Sequence, residues 1–244
     1  AAPLIYLGNI ATAEGAYQEA AQYLDKASEL EGAKNEVFYS RAKLLVAEGK
    51  NDNAISFVRA FIDKNPADVQ ALALWFALAT EKGNAQDVIK HTQTQFNTNK
   101  TNLNLRLLLA RMYSLNSQLD KTVSLLADVE GNEASPQAFW NLKGQALIAT
   151  NNLKDATAFF DRWLSFYPQD KNAVLGKLLI VDSQKQFEQG LTLINKVLAK
   201  RPDAQLTLLK AYFHSRLGQA KPAWDIINST AEEVRALPFV RGVI

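Results

Sequence analysis

An all-α fold of the solenoid type, an α-α superhelix of about seven helix–turn–helix repeats, is what this 244-residue sequence predicts. Three observations carry the prediction. Prolines recur in step, residue columns repeat every 34 positions, and turn residues fall at fixed points between them. Pro168 and Pro202 lie 34 residues apart, and Pro66 lies three such steps before Pro168. Each follows an amphipathic stretch: 55–65, 156–167 and 191–201.

The columns follow from the same step. One reads Gly8, Ala42, Phe76, Ala110, Gly144, Leu178; a second reads Ala20, Ala54, Val88, Thr122, Ala156, Gly190; a third reads Leu24, Val58, Thr92, Leu126, Phe160, Ile194. A seventh unit continues them after a one-residue deletion, with Ala211, Ala223 and Ile227. The first two columns are mostly small, as two antiparallel helices need where they cross closely. The first lies in the leading helix of each unit, helix A, and the second in helix B. The third is a large apolar knob of helix B, placed to fill the space between neighbouring units. A unit of this size cannot bury its apolar face alone, so stacking supplies the core. The expected repeats are 1–34, 35–68, 69–102, 103–136, 137–170, 171–204 and 205–237, with 238–244 a tail or the opening of an eighth repeat.

The punctuation agrees. Gly49, Gly83, Asn116-Ser117, Asn151-Asn152 and Gly218 fall between helices A and B. Links between repeats carry Asn65-Pro66, Ser135-Pro136, Tyr167-Pro168 and Arg201-Pro202, where proline stops helix B. Asp68, Ser135, Asp170 and Asp203 stand ready to cap the following helix A. No strand-like alternation occurs. Repeat three departs most, because Thr92 and Gln95 stand where other units mostly place apolar residues; it is the expected soft point of the array.

Composition narrows the function classes. Apolar residues make up 48% and charged residues 21%, which fits a folded domain. A formal net charge of +2 argues against a nucleic-acid partner. With no cysteine there are no disulfides, thiolate nucleophiles or thiolate metal ligands. No apolar run reaches the length of a membrane span. The two histidines, His91 and His214, stand in different repeats and read as isolated surface residues. Neither a phosphate-cradling glycine loop nor a nucleophile elbow is present. Glu19, Asp25, Asp52, Asp63, Asp155 and Asp161 are explained by capping and solubility. Trp75, Trp140, Trp163 and Trp224 fall at helical core spacing and read as packing residues. No catalytic activity, metal or cofactor is expected.

In repeat five, Trp140, Gly144, Leu147, Ala156, Phe160 and Pro168 stand at signature spacing, and Leu4, Leu7, Gly8, Ala20, Leu24 and Ala27 match in repeat one. On these residues the chain resembles the tetratricopeptide-repeat family over nearly its whole length. The nearest competitor, a 35-residue pentatricopeptide array that would bind RNA, is disfavoured by the period and the charge. The resemblance implies a right-handed solenoid whose helices A line a concave face, the usual site for a protein or peptide partner. Carried across, the groove positions are Glu36, Tyr39 and Lys43; Asn104, Leu107, Arg111 and Ser114; Asn141 and Gln145; and Tyr212 and Arg216. The chaperone-tail clamp of the family is incomplete here: Ile5 and Asn9 in repeat one, and Ser40 and Lys43 in repeat two, hold its positions.

The function expected from the resemblance is a non-catalytic interaction scaffold for an extended peptide or an assembly subunit. The alternative is a targeting or regulatory segment of a larger enzyme. The opening Ala1-Ala2-Pro3, without methionine, reads as a processed chain or a piece of a longer one. Richness in Asn, Gln and Ala makes the chain similar to bacterial envelope repeat lipoproteins of polysaccharide-export and protein-sorting systems. That likeness implies a periplasmic or envelope-associated setting. Arrays of this kind often pair through terminal repeats, so a homodimer contact is expected at the ends.

Overall fold

The computed structural model describes residues 1–30, 32 and 34–229. Among them fourteen helices follow one another along the chain, in seven successive pairs. The pairs are α1 (Ala2–Ala13) with α2 (Tyr17–Ser28), α3 (Lys34–Ala47) with α4 (Asn51–Ile62), and α5 (Val69–Glu81) with α6 (Ala85–Thr98). Next come α7 (Leu103–Leu115) with α8 (Leu119–Leu126), and α9 (Gln137–Ala149) with α10 (Leu153–Phe166). The last are α11 (Lys171–Ser183) with α12 (Phe187–Leu198), and α13 (Ala204–Arg216) with α14 (Ala220–Ser229). The fold is all-α and built of helical repeats. It divides into two compact units, Ala1–Ser117 and Gln118–Ile244, so the division falls at the turn inside the fourth pair. The tail from 238 lies outside the described residues.

Every residue of the three 34-step columns is buried. A Cβ added to Gly8 would stand 2.9 Å from the Leu24 side chain, and one on Gly144 would stand 2.8 Å from Phe160 Cζ. The small column of helix A therefore receives the knob of helix B. Phe160 also presses on Gly176, one repeat further on, and Phe213 presses on Gly190. Each is a knob in a hole made by absent side chains, and the apolar surface removed from water there is the main term holding each pair.

The seven turns between helices A and B share one device. Gly15, Gly49, Gly83, Ser117, Asn151, Lys185 and Gly218 all take positive φ, between 54° and 78°. They recur at the repeat period. Glycine adopts this conformation without penalty. Lys185 had no turn signal in the sequence and is carried there by the register alone. At the starts of helices A, the carboxylates of Asp68, Asp170 and Asp203 accept from the backbone N–H three residues on, as expected. Ser135 does not cap α9. Pro136 is the N-cap, and the Ser135 hydroxyl is turned back onto Asn132.

Thr92 is fully buried, and its hydroxyl donates to Val88 O at 2.8 Å, so α6 runs to full length despite its polar knob. The shortest helix is α8, and residues 127–136 form a non-helical connection after it. Three side chains hold that connection. Lys143 Nζ donates to the carbonyls of Leu126 at 2.8 Å and Val129 at 3.0 Å, with Ala127 at 3.4 Å. Arg162 Nε donates to Gly131 O at 2.6 Å, and Tyr167 donates to Glu133 O at 2.7 Å. These satisfy carbonyls that a continued helix would have bonded itself. Burial lowers the Lys143 ammonium below its ordinary value, partly offset by Asp128, Asp155 and Glu130.

Trp75, Trp140 and Trp163 are buried as expected, whereas Trp224 is 51% exposed. Neither histidine is an isolated surface group. His91 packs edge-on against Trp75 at 5.6 Å, and a ring nitrogen of His214 lies 2.6 Å from Gln219 Oε1.

Candidate functional site

Helices A carry the candidate positions. In the first unit these are on α3 and α7, and in the second on α9 and α13. Glu36, Lys43, Asn104, Arg111, Gln145 and Arg216 are exposed; Tyr39, Leu107, Ser114, Asn141 and Tyr212 are half-buried.

Three of the half-buried residues are tied to a neighbouring repeat. The Tyr39 hydroxyl donates to Asp68 Oδ1 at 2.8 Å, and Asp68 is itself the N-cap of α5. Asn141 Oδ1 accepts from Asn172 Nδ2 at 3.0 Å, joining α9 to α11. The Tyr212 hydroxyl donates to Asp182 Oδ1 at 2.9 Å, joining α13 to α11. Burial raises both phenols above the ordinary tyrosine value, and the bonded carboxylates raise them further. Both therefore stay protonated donors around neutral pH. These residues fix the spacing between helices A, and a ligand would have to displace those bonds to use them. The Arg216 guanidinium carbon stands over two rings, 4.8 Å from the centroid of Phe187 and 5.8 Å from that of Tyr212.

Among the candidates the structure groups Tyr212 with Arg216 on α13, and Asn141 with Gln145 on α9. Around the α13 pair it adds residues absent from the sequence-derived set. Leu175, Leu178 and Leu179 of α11 face Leu209, Tyr212 and Phe213 of α13 across a groove of about 350 Å³. Asp182 and Gln205 are its polar members. Leu179 is 59% exposed, among the most open large apolar residues described. A signal for it was present in the sequence. The 34-step column through this face reads Asn9, Lys43, Ala77, Arg111, Gln145, Leu179, with Tyr212 after the deletion. A large aliphatic residue stands in that column at one repeat alone.

The groove walls are apolar and its ends polar. It can take a bulky apolar side chain by exclusion of water, while the Gln205 amide is suited to a main-chain group. Among the described residues no group of three His, Asp or Glu is placed to hold a metal, and no helix is long and apolar enough to cross a membrane.

Residues 118–171 match the tetratricopeptide-repeat family model, in α8 to the start of α11. The family shown is that of this segment, a stretch of tetratricopeptide repeats. None of the curated proteins matches the chain. Solved structures of tetratricopeptide-repeat proteins resemble it in fold at low identity. The C-terminal part of a repeat-containing protein from Cytophaga hutchinsonii superposes with a TM-score of 0.65 at 14% identity, covering 94% of this chain and 97% of that one. PilW, a widely conserved type IV pilus biogenesis factor, gives 0.60 at 13%, covering 88% and 99%. YrrB, described as having an unusual peptide-binding site, gives 0.57 at 11%, covering 75% and 94%. The likeness is one of fold.

Proposed function

We propose that this chain is a non-catalytic scaffold that holds an extended peptide or an assembly subunit on its helix-A face. We propose further that it serves an envelope export or secretion system of a bacterium. The observation that carries the reading is the α11/α13 groove, where Leu179 is left open to solvent at a position that is polar in most other repeats. An exposed leucine bordering an apolar groove is most readily accounted for by a partner that covers it. Exposed Lys43, Arg111, Gln145 and Arg216 supply hydrogen-bond donors along the same class of helices. Repeat arrays suit this work because their surface is ordered before binding, which lowers the entropy lost on association. PilW and the peptide-binding YrrB lend the reading its direction, as proteins of like fold.

The test is affinity capture from an envelope fraction of the source organism. The wild-type chain is run beside a variant carrying Lys43→Ala, Arg111→Ala, Gln145→Ala and Leu179→Ser. A partner retained by the wild type and lost from the variant is the expected result. An identical set of partners on both removes the helix-A face from consideration. Signal from the intact chain in the cytoplasmic fraction alone would overturn the envelope assignment.

A further inference from the structure

One side of α1 differs from its counterparts in every other repeat. The 34-residue step places Pro3 in a column with Val37, Ala71, Leu105, Phe139 and Ala173, and with Leu206 after the deletion. Ile10 falls in a column with Leu44, Leu78, Met112, Ala146 and Ile180, and with Phe213 after the deletion. All of these counterparts are buried, whereas Pro3 and Ile10 are exposed. Tyr6 and Leu7 lie between them on the same side and are exposed too, and Tyr6, at 67%, is the most open large apolar residue described. None of the counterparts of Tyr6 and Leu7 is exposed. Two clusters show what covers this side elsewhere. Val37 and Leu44 of α3 are buried with Ile5 and Ala11 of α1 and with Ala20, Leu24 and Ala27 of α2. Leu206 and Phe213 of α13 are buried with Val174, Leu178 and Val181 of α11 and with Ile194 and Val197 of α12. These columns are therefore the side on which a repeat lies against the helix pair before it. In repeat one that side is open yet apolar, although an end of an array that faces water needs polar residues there. Among the described helices α1 is also the one without a charged side chain. A helix apolar on every side is a helix that becomes covered on every side.

We infer that two copies of this chain pair through this side, α1 against α1, antiparallel about a two-fold axis. The pairing involves none of the positions of the scaffold reading, which lie on other helices, and it stands or falls apart from that reading. The open positions 3, 6, 7 and 10 are spaced alike from either end. Antiparallel pairing about their midpoint sets Tyr6 of each copy opposite Leu7 of the other, and Pro3 opposite Ile10, as a self-complementary contact requires. No charge of α1 is buried by it, since the helix has none. Glu14, the exposed C-cap of α1, is brought toward the N-terminal end of the other α1, where the helix dipole favours a negative charge. Parallel pairing would set like ends together. A head-to-tail contact would need an equally open apolar side on repeat seven, where Trp224 is the single exposed large apolar residue among those described. The open parts of Pro3, Tyr6, Leu7 and Ile10 come to roughly 400 Å² per copy, about half of what each partner gives in a standard interface. The dimer is therefore a weak one, forming across roughly 10–100 µM.

The experiment is sedimentation equilibrium of the full chain across about 2–200 µM, which spans the expected range of association. Monomers at the low end and dimers at the high end, with nothing larger, are the expected result. Tyr6→Lys and Leu7→Glu change exposed positions. Each should keep the wild-type circular dichroism and melting at the low end while weakening dimerisation about tenfold or more. An equimolar mixture of the two variants should recover dimers, because the new lysine of one copy then faces the new glutamate of the other. Trp224→Lys should leave dimerisation unchanged. A chain that stays monomeric throughout would overturn the second copy as the occupant. Dimers that survive both α1 substitutions would overturn the surface. Loss on Trp224→Lys, or growth beyond two copies, would overturn the two-fold in favour of head-to-tail stacking. Failure of the mixture to recover dimers would overturn the antiparallel register.

Discussion

Repeats five and six adjoin one another in the same compact unit and treat their large side chains in opposite ways. In repeat five Phe139, Trp140, Phe159, Phe160 and Trp163 form a continuous aromatic cluster, with ring centroids 5.3 to 6.1 Å apart. All five are buried. In repeat six the corresponding space is closed by leucine and valine, and Leu179 is turned outward on helix α11. One repeat spends its bulk on the core, and the next leaves part of its bulk on the surface. The same 34-residue register thus supports an anchor and a binding surface side by side. Which of the two a repeat becomes depends on residues outside the three packing columns.

The comparison is broken most severely by truncating the anchor. Trp140 is fully buried, and its ring covers Gly131, where a Cβ would collide with the indole. Trp140→Ala should cost about 3–5 kcal/mol in urea unfolding. The same truncation at Trp224, half open to solvent, should cost within about 0.5 kcal/mol. The two indole N–H groups of Trp140 and Trp163 find no acceptor among the described residues, so shape and apolar area, rather than polar bonds, hold this cluster.

Second in size is the clip over the connection after α8. Lys143→Met removes the donor that serves three carbonyls and should cost about 1–3 kcal/mol. The effect carries a pH signature. The folded-state value of Lys143 lies below its ordinary 10.5, so the unfolded chain binds this proton more tightly. The group's favourable contribution is complete above 10.5 and is lost as pH falls through the lowered folded value. The stability of wild type relative to Lys143→Met should therefore rise with pH across that window. A flat difference between the two unfolding curves would show that the ammonium is not desolvated in solution.

Much of this architecture could be read before any coordinates. The three columns were found by period alone and every member is buried, because helix crossings leave no freedom in size at those points. The proline links and the aspartate caps were equally legible, each being a local rule of the backbone. The failures have local causes too. Ser135 looked like a cap, but Pro136 took the N-cap place and Asn132 took its hydroxyl. Repeat four kept its column residue Leu126, so nothing in the register announced that α8 would stop there. The decisive contacts come from Lys143, Arg162 and Tyr167, which lie 14 to 34 residues away in sequence. Three of the candidate site residues carry a structural bond that the register does not announce, for a related reason. Tyr39, Asn141 and Tyr212 read as ligand positions, and each also finds a partner in a neighbouring repeat. Leu179 was overlooked because leucine on a helix reads as core until its place in a polar column is compared across repeats.

A third change sharpens the comparison by improving a repeat. Lys185 holds φ at 58° in the turn that ends α11, where four other repeats place glycine. Lys185→Gly should stabilise the chain by about 0.5–1 kcal/mol, since relief of the strained backbone exceeds the added freedom of the unfolded state. Thermal melting of the pair would read it. No gain would mean that the lysine stem repays the strain through contacts along the turn.

The smallest expected effect is the most informative about use. Leu179 contributes little to the core, being 59% exposed, so Leu179→Lys should change unfolding free energy by less than about 0.5 kcal/mol. A residue that packs for stability cannot pass that test. If the substitution costs about 2 kcal/mol or more, the α11/α13 groove is closed in solution and Leu179 belongs to the same packing economy as Trp140. If stability is unmoved, the leucine stands in a polar column without a structural reason to be there. Its exposure is then a property kept for whatever covers it, and the line between repeats five and six is the line between what holds this protein together and what it holds.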